Sequence, residues 1–560
     1  MPKILLILIL SLATSGILLP SSAYSMQNYN PTSTLEILST AENGEVSARK
    51  ENVAFKNGTP GGTVILIKPE VVKQTIDGIG TSFTESSAFV LAHLNTQKRQ
   101  EVMANIFGEK GANFSLARTP IGACDFSVKG KFSYADTKGD VTLKNFSIAP
   151  DKAGFSKTQY PGIKDETYDL LPMIQEAIAI KNNQQDKELR IIASAWTAPS
   201  WMKDIEDWYI PGSPQNNWQG TGGSLKANYV PTYADYLIKY LDAYQAEGVR
   251  IWGLTPVNEP YGNNGQWESM HFTPESQNNF IKNQLGPKLH AGNHADVKLM
   301  IYDQNRDGLD KWTDLMFADP KTAHYLYGAA VHWYESTVKV FEDVFDRVTK
   351  KFPNFAIVHT EGCIDDLGKP APAGILDPVG FKESGWFNND TFWWNKNATD
   401  WAYSATWAGV NTAEHPMYTP VHRYARNIIV SLNHWVRGWV DWNIVLDRNG
   451  GPNHAGNFCG APIMIDPATQ QVYYTPIFHV LAQFSKTIRP GDAVVQTETQ
   501  LAGLDSDALH ACSTLNRNKV LSVQLLNTTK KLITYNLKIG NKFAEIPIAA
   551  NSVQTVRVQL

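Results

Sequence analysis

Between about Gly78 and Asp447, short apolar runs rich in β-branched residues alternate with longer segments whose apolar residues recur every three or four positions. That alternation predicts repeated strand–helix units in a parallel sheet. Strands are predicted near Ile79–Phe83 and over Phe114–Thr119, Arg190–Ala195, Ile251–Pro256, Lys298–Tyr302, Gly328–His332, Phe355–Thr360 and Gly438–Asn443. Eight such units fit a closed (β/α)8 TIM barrel over 78–450. Within the helical segment Tyr233–Glu247, the residues Tyr233, Tyr236, Leu237, Tyr240, Leu241 and Tyr244 share one face, expected against the barrel rather than a ligand. After about Pro452 the period falls to two, as in Val520–Leu526, Ile533–Ile539 and Val553–Leu560. This predicts an all-β sandwich over 451–560, to which strand-like runs within 26–77 contribute. The expected class is therefore α/β: a barrel with an all-β side domain built from both chain ends.

One stretch breaks the period. Residues 364–407 form a long connection rich in Pro, Gly and aromatics, including Trp386, Phe387, Phe392, Trp393, Trp394, Trp401 and Trp407. Such aromatic density argues against disorder. Because the segment follows the strand ending near Glu361, it is expected over the C-terminal mouth of the barrel, as a structural insertion or as a lid touching substrate.

A chain of 560 residues suits one large barrel plus a companion domain. A net charge of −4 with both signs interspersed supplies no field for nucleic acid or an anionic membrane, so an uncharged substrate is expected. The N-terminus carries Lys3, an apolar run from Ile4 to Leu19 and the small-residue stretch Ala23-Tyr24-Ser25. This reads as a signal peptide over 1–25, cleaved after Ser25, and predicts a secreted or periplasmic protein with no transmembrane segment in the mature chain. The four cysteines, Cys124, Cys363, Cys459 and Cys512, are too widely spaced for a zinc site and are expected mostly as buried thiols. Asn57-Gly58-Thr59, Asn389-Asp390-Thr391 and Asn397-Ala398-Thr399 match glycosylation sequons.

Polar residues just after barrel strands are the candidates for chemistry, because barrel active sites form at the C-terminal strand ends. These are Asp125, Trp196, Asn258-Glu259-Pro260, His332-Trp333-Tyr334, Thr360-Glu361-Gly362 and Asp441-Trp442-Asn443. Glu259 and Glu361, on separate strands, meet the requirement of glycoside hydrolysis for two carboxyl groups flanking the anomeric carbon. A separation of about 5 Å would favour a covalent intermediate and retention. Asn258 is placed to donate to a sugar 2-hydroxyl. Trp196 and Trp442 offer flat faces for a pyranose ring, and Asp125 and Asp441 can accept from sugar hydroxyls. No metal cluster, glycine-rich nucleotide loop or Ser/His/Asp arrangement emerges, so neither metal nor cofactor is predicted.

These motifs resemble glycoside hydrolase family thirty, the glucosylceramidase family. The resemblance rests on Gly78-Ile79-Gly80, Arg118-Thr119-Pro120 with Cys124-Asp125-Phe126-Ser127, and Trp196-Thr197-Ala198-Pro199-Ser200-Trp201-Met202-Lys203. It continues through Asn258-Glu259-Pro260, His332-Trp333-Tyr334, Glu361-Gly362-Cys363, Trp439-Val440-Asp441-Trp442-Asn443 and Gly450-Gly451-Pro452-Asn453. It implies that Glu259 is the acid/base and Glu361 the nucleophile, with Asp125, Trp196, Asn258, Tyr334, Asp441, Trp442 and Asn457 around the glucose subsite; His332, at a strand end, is a further substrate-binding candidate. The implied substrate is a β-glucoside, a glycolipid such as glucosylceramide being the leading candidate. An endo-β-1,6-glucanase is the nearest alternative, a xylan-directed enzyme a third, and a non-catalytic carbohydrate-binding protein the alternative of another class. The assigned roles predict a bell-shaped pH profile, falling when Glu361 gains a proton and when Glu259 loses one.

Overall fold

The computed structural model describes residues 31, 35–216, 220–263, 265–335, 339–363, 419–448, 450–457 and 459–560. The expected leader over 1–25, the aromatic insertion 364–407 and the sequons at Asn389 and Asn397 lie outside the described residues.

Eight parallel strands close a barrel: β1 (Gly78–Ser82), β2 (Leu116–Ile121), β3 (Arg190–Ala195), β4 (Gly253–Thr255), β5 (Lys298–Asn305), β6 (Leu326–His332), β7 (Ala356–Glu361) and β8 (Val436–Asp441). β8 pairs with β1 to complete the ring. Each overlaps a predicted strand, β4 being shorter and β5 three residues longer than predicted. At β1, Gly80 permits the close approach of β2, since a Cβ there would overlap the Leu116 carbonyl.

Strand periodicity decides where the barrel changes from core to site. Leu116, Ile192, Met300, Ala330, Val358 and Val440 form one apolar cluster of inward-facing residues. Two residues further along β2, β3, β6 and β7, the same face carries Arg118, Ser194, His332 and Thr360, and Thr255 follows Gly253 on β4 in the same way. The interior thus becomes polar one layer below the mouth. β5 reaches that layer by an irregularity: Ala330 pairs with Tyr302 but Val331 with Gln304, leaving Asp303 as an extra residue. Tyr302 and Asp303 both have positive φ, 76° and 62°. The bulge sends Tyr302 outward against Trp312 and places Asp303 beside Arg118.

The tyrosine-rich helix Val230–Ala246 buries Tyr233, Tyr236, Tyr240 and Tyr244, as its spacing predicts. Tyr233 and Tyr244 are anchored at their hydroxyls. Tyr244 and Tyr134 donate to Asp151 at 2.5 and 2.6 Å, and Tyr233 donates to the Pro256 carbonyl at 2.7 Å, two residues before Asn258.

The side domain is a ten-stranded sheet. The chain start supplies four strands, Glu36–Ala41, Ala48–Lys50, Lys56–Asn57 and Val64–Thr75; the chain end supplies six, from Ala493–Gln500 to Ser552–Gln559. Ile37, Ile65, Val495, Val523, Leu537, Ile546 and Val556 share its core, so strands remote in sheet order meet face to face. The boundary differs from the sequence expectation. Residues 476–487, expected within the sandwich, form a helix whose Ile477, Val480, Leu481 and Phe484 join the barrel core. Those four recur at helical spacing, so this is the helix that follows β8, and the sandwich strands resume only at Ala493.

Candidate active site

Glu361 ends β7 and Glu259 follows β4. One carboxylate oxygen from each and a ring nitrogen of His332 lie within 4.8 Å of one another. Glu361 is held at both oxygens: Tyr334 Oη donates to Oε1 at 2.9 Å, and Arg118 Nη1 donates to Oε2. Glu259 sits in the left-handed region at φ 49°, its backbone N–H donating to the Asp303 carbonyl at 2.9 Å, and it keeps more side-chain exposure than Glu361, 18% against 7%. Non-glycine residues rarely adopt this conformation. The backbone contact therefore fixes an otherwise costly geometry that points this carboxyl toward the opening.

Beneath the pair lies a buried polar network that the sequence did not single out as a whole. Arg118, without exposed side-chain surface, donates to Glu361, to Asn258 Oδ1 at 2.6 Å, to Asp303 Oδ2 at 2.9 Å and to Ser194 Oγ at 3.0 Å. Asp303 also accepts from Thr255 at 2.6 Å and Thr360 at 2.7 Å. Burial alone would favour its neutral form, but the Arg118 guanidinium and His332 hold its carboxyl well below the usual carboxylate range. His332 bridges Asp303 (Nε2, 3.0 Å) and Glu259 (Nδ1, 3.1 Å). Burial disfavours its charged form, yet Glu361 and Asp303 push it up to about 10. Both ring nitrogens of His332 thus face carboxylate oxygens. Burial pushes Glu361 upward, against the charges of His332 and Arg118.

The contact with Arg118 also orients Asn258. Its Oδ1 accepts from the guanidinium, so its amide nitrogen is left to donate elsewhere. Trp196 and Trp442 stack on each other, with ring centres 5.2 Å apart, and Arg118 lies 4.8 Å from the Trp196 ring centre. Asp125 accepts from Asn457 Nδ2 at 3.1 Å; burial and the nearby Glu361 push it up to about 7. Asp441 is fully buried, with Tyr424 donating at 2.7 Å and Thr81 at 3.3 Å. Its oxygens thus already brace the β8 wall under Trp442. All ten residues singled out from the sequence lie at the C-terminal ends of strands or in the loops beyond them.

An ion pair at the rim was also missed. His454 Nε2 lies 3.0 Å from the buried Glu268 Oε2, while its Nδ1 meets the Ser127 carbonyl at 3.0 Å. Glu268 also accepts from the Lys131 backbone N–H. Gly130 makes room, since a Cβ there would overlap the His454 ring. The pair ties the loop after Glu259 to those carrying Asp125 and Asn457. Glu268→Gln is expected to raise KM about tenfold while kcat changes less than about twofold, because it loosens the subsite without touching the glutamates. Equal falls in kcat and kcat/KM would contradict this placement.

A retaining glycoside hydrolase is the class that this barrel and its paired glutamates define. The family model of the glycosyl hydrolase family 30 TIM-barrel domain matches residues 76–371 and 405–488, and the chain belongs to that family. The lysosomal acid glucosylceramidase of Mus musculus is 29% identical over 453 residues, covering 79% of this chain and 74% of that protein. An endo-1,6-beta-D-glucanase of Neurospora crassa is 25% identical over 513 residues, covering 89% of each. Among solved structures, SrfJ from Salmonella typhimurium superposes with a TM-score of 0.74 at 22% identity, over 94% of this chain and all of that one.

Proposed function

We propose that the protein hydrolyses the β-glucosidic bond of glucosylceramide, or of a β-glucoside of similar form, by a double displacement in which Glu361 is the nucleophile and Glu259 the acid/base. The observation that carries this reading is the spacing of the two carboxylates, within 4.8 Å at their nearest ligand atoms. Inverting enzymes separate the groups by about 6.5–9.5 Å to admit water, and retaining enzymes by about 5–5.5 Å.

In the first step a Glu361 oxygen bonds to the anomeric carbon while the glycosidic C–O bond breaks, and Glu259 delivers its proton to the departing oxygen. In the second, Glu259 takes a proton from water, the water oxygen bonds to the same carbon, and Glu361 leaves as carboxylate. Arg118 and Tyr334 orient Glu361 for attack, and the Arg118 charge opposes the upward push of burial on its carboxyl. Protonated His332 beside Glu259 stabilises the carboxylate that each first step leaves behind. Asn258, its amide oriented by Arg118, donates to the 2-hydroxyl, and Trp196 and Trp442 shape the apolar wall of the sugar site. Asp125 and Asn457 receive the remaining hydroxyls.

The mouse relative supports the glycolipid reading, and the Neurospora relative supports β-1,6-glucan as the second. Purified protein and Glu361→Gln are each incubated with glucosylceramide in detergent and with β-1,6-glucan, and the released sugars are measured. Glucose from the lipid, absent with the variant, is expected. Oligosaccharides from the glucan would move the substrate and keep the mechanism; no release from either would end the proposal. The same reading includes export, with the leader removed after Ser25. N-terminal sequencing of the mature protein checks this.

A further inference from the structure

Cys363 and Cys459 stand 96 positions apart in sequence, yet their sulfur atoms lie 3.2 Å from each other and both side chains are buried. A disulfide needs about 2.05 Å, so the two sulfurs are roughly 1 Å from bonding distance. The pairing is selective. Cys124 lies in the same apolar cluster, beside Phe126 and Trp442, and Cys512 packs in a different one. Among the described residues, only Cys363 and Cys459 bring two sulfurs into contact.

Their positions give the pair a consequence. Cys363 is two residues beyond Glu361, and its carbonyl accepts from Trp333 Nε1 at 3.0 Å. Cys459 is two residues beyond Asn457, which donates to Asp125, and its backbone N–H donates to the Gly450 carbonyl at 3.0 Å. A bond between them would tie the loop behind one glutamate to the loop that completes the subsite on the other side. It would also close a long segment of chain containing β8, and closing long loops removes the most freedom from the unfolded state.

We propose that Cys363 and Cys459 are joined by a disulfide when the chain matures in an oxidising compartment. The oxidant is an exchangeable disulfide of the thiol–disulfide oxidoreductase or glutathione class. The thiolate of one cysteine attacks it and expels one oxidant thiolate; the second cysteine thiolate attacks the mixed disulfide and expels the other. Two protons leave the cysteines, and two electrons reduce the oxidant disulfide to two thiols. Both cysteines are shielded in the folded chain, so the exchange takes place during folding, before the site closes.

The full chain is made once through an oxidising export route and once in a reducing cytosol. Each sample is denatured in iodoacetamide without reductant, digested and mapped by mass spectrometry. Exported protein is expected to yield a peptide pair linked through Cys363 and Cys459, with Cys124 and Cys512 alkylated; cytosolic protein is expected to carry four alkylated cysteines. Alkylation of all four in the exported sample would overturn the proposal, whatever the substrate of the enzyme. A second measurement separates cross-linking from packing. Dithiothreitol should shorten the half-life of exported wild type at its inactivation temperature about tenfold and leave Cys459→Ala unchanged. An equal response of the two proteins would count against the bond.

Discussion

Glu361→Ala is expected to lower kcat by roughly 10⁵-fold, and azide should restore turnover by yielding an α-glycosyl azide. The size follows from the two-step scheme: without the carboxylate no covalent intermediate forms, and water cannot reach the same face in an attacking geometry. Truncation opens that face to a small anion, and Arg118 and protonated His332, left without one of their counter-charges, attract it. Glu259→Ala should behave differently with an activated aryl glucoside. Its first step needs no proton, the intermediate forms, and azide replaces water from the opposite face to give a β-glycosyl azide. The stereochemistry of the two azides therefore assigns the two roles independently of any rate. Identical anomers from both variants, or no rescue of Glu361→Ala with its circular dichroism intact, would reverse or remove the assignment.

The division between what was legible in the sequence and what was not follows the range of the interactions. β-Strands of a barrel buried on both faces read as short apolar runs, and all eight could be placed because each is bounded by polar or glycine-rich turns. Residues at strand ends, such as Glu259, Glu361 and Trp442, were legible for the same reason: a polar or aromatic group after an apolar run marks the barrel mouth. The helix Pro476–Thr487 does not stand out because it follows the last barrel strand, beyond the end of the strand–helix alternation. Asp303 was hidden by a bulge. A strict period of two puts Tyr302 inward, and only the left-handed pair Tyr302-Asp303 shifts the register. Arg118 did leave a signal, a charged residue inside the apolar strand Leu116–Ile121, which a buried position tolerates only with partners. The pairing of Glu268 with His454 and the meeting of Cys363 with Cys459 depend on which loops become neighbours, and nothing in local spacing reports that.

Asp303→Asn should show how far the pair of glutamates depends on the charge beneath it. Asp303 is fully buried and accepts from Arg118, His332, Thr255 and Thr360; an amide has one acceptor oxygen and turns two donors toward that set. Removing one member of a buried ion pair costs about 3–5 kcal/mol, so a clear fall in urea midpoint is expected. A fall of about 100-fold in kcat should accompany it as Glu361 and Glu259 lose their alignment. The pH dependence separates electrostatics from packing. In wild type His332 is raised to about 10 from an ordinary value near 6.5. Its stabilising contribution is therefore complete below about pH 6.5 and is lost as pH rises toward 10. Asp303 contributes in the opposite sense. Held below the ordinary carboxylate value near 3.9, it stabilises above that pH and loses its effect as pH falls further. The variant removes this acidic limb, and taking one anion from His332 moves its alkaline limb to lower pH. Urea titrations from pH 5 to 10 follow the alkaline limb. If the variant merely shifts the whole curve down without moving the alkaline limb, Asp303 acts through packing, and the charge relay from Arg118 through Asp303 to His332 does not set the state of the site.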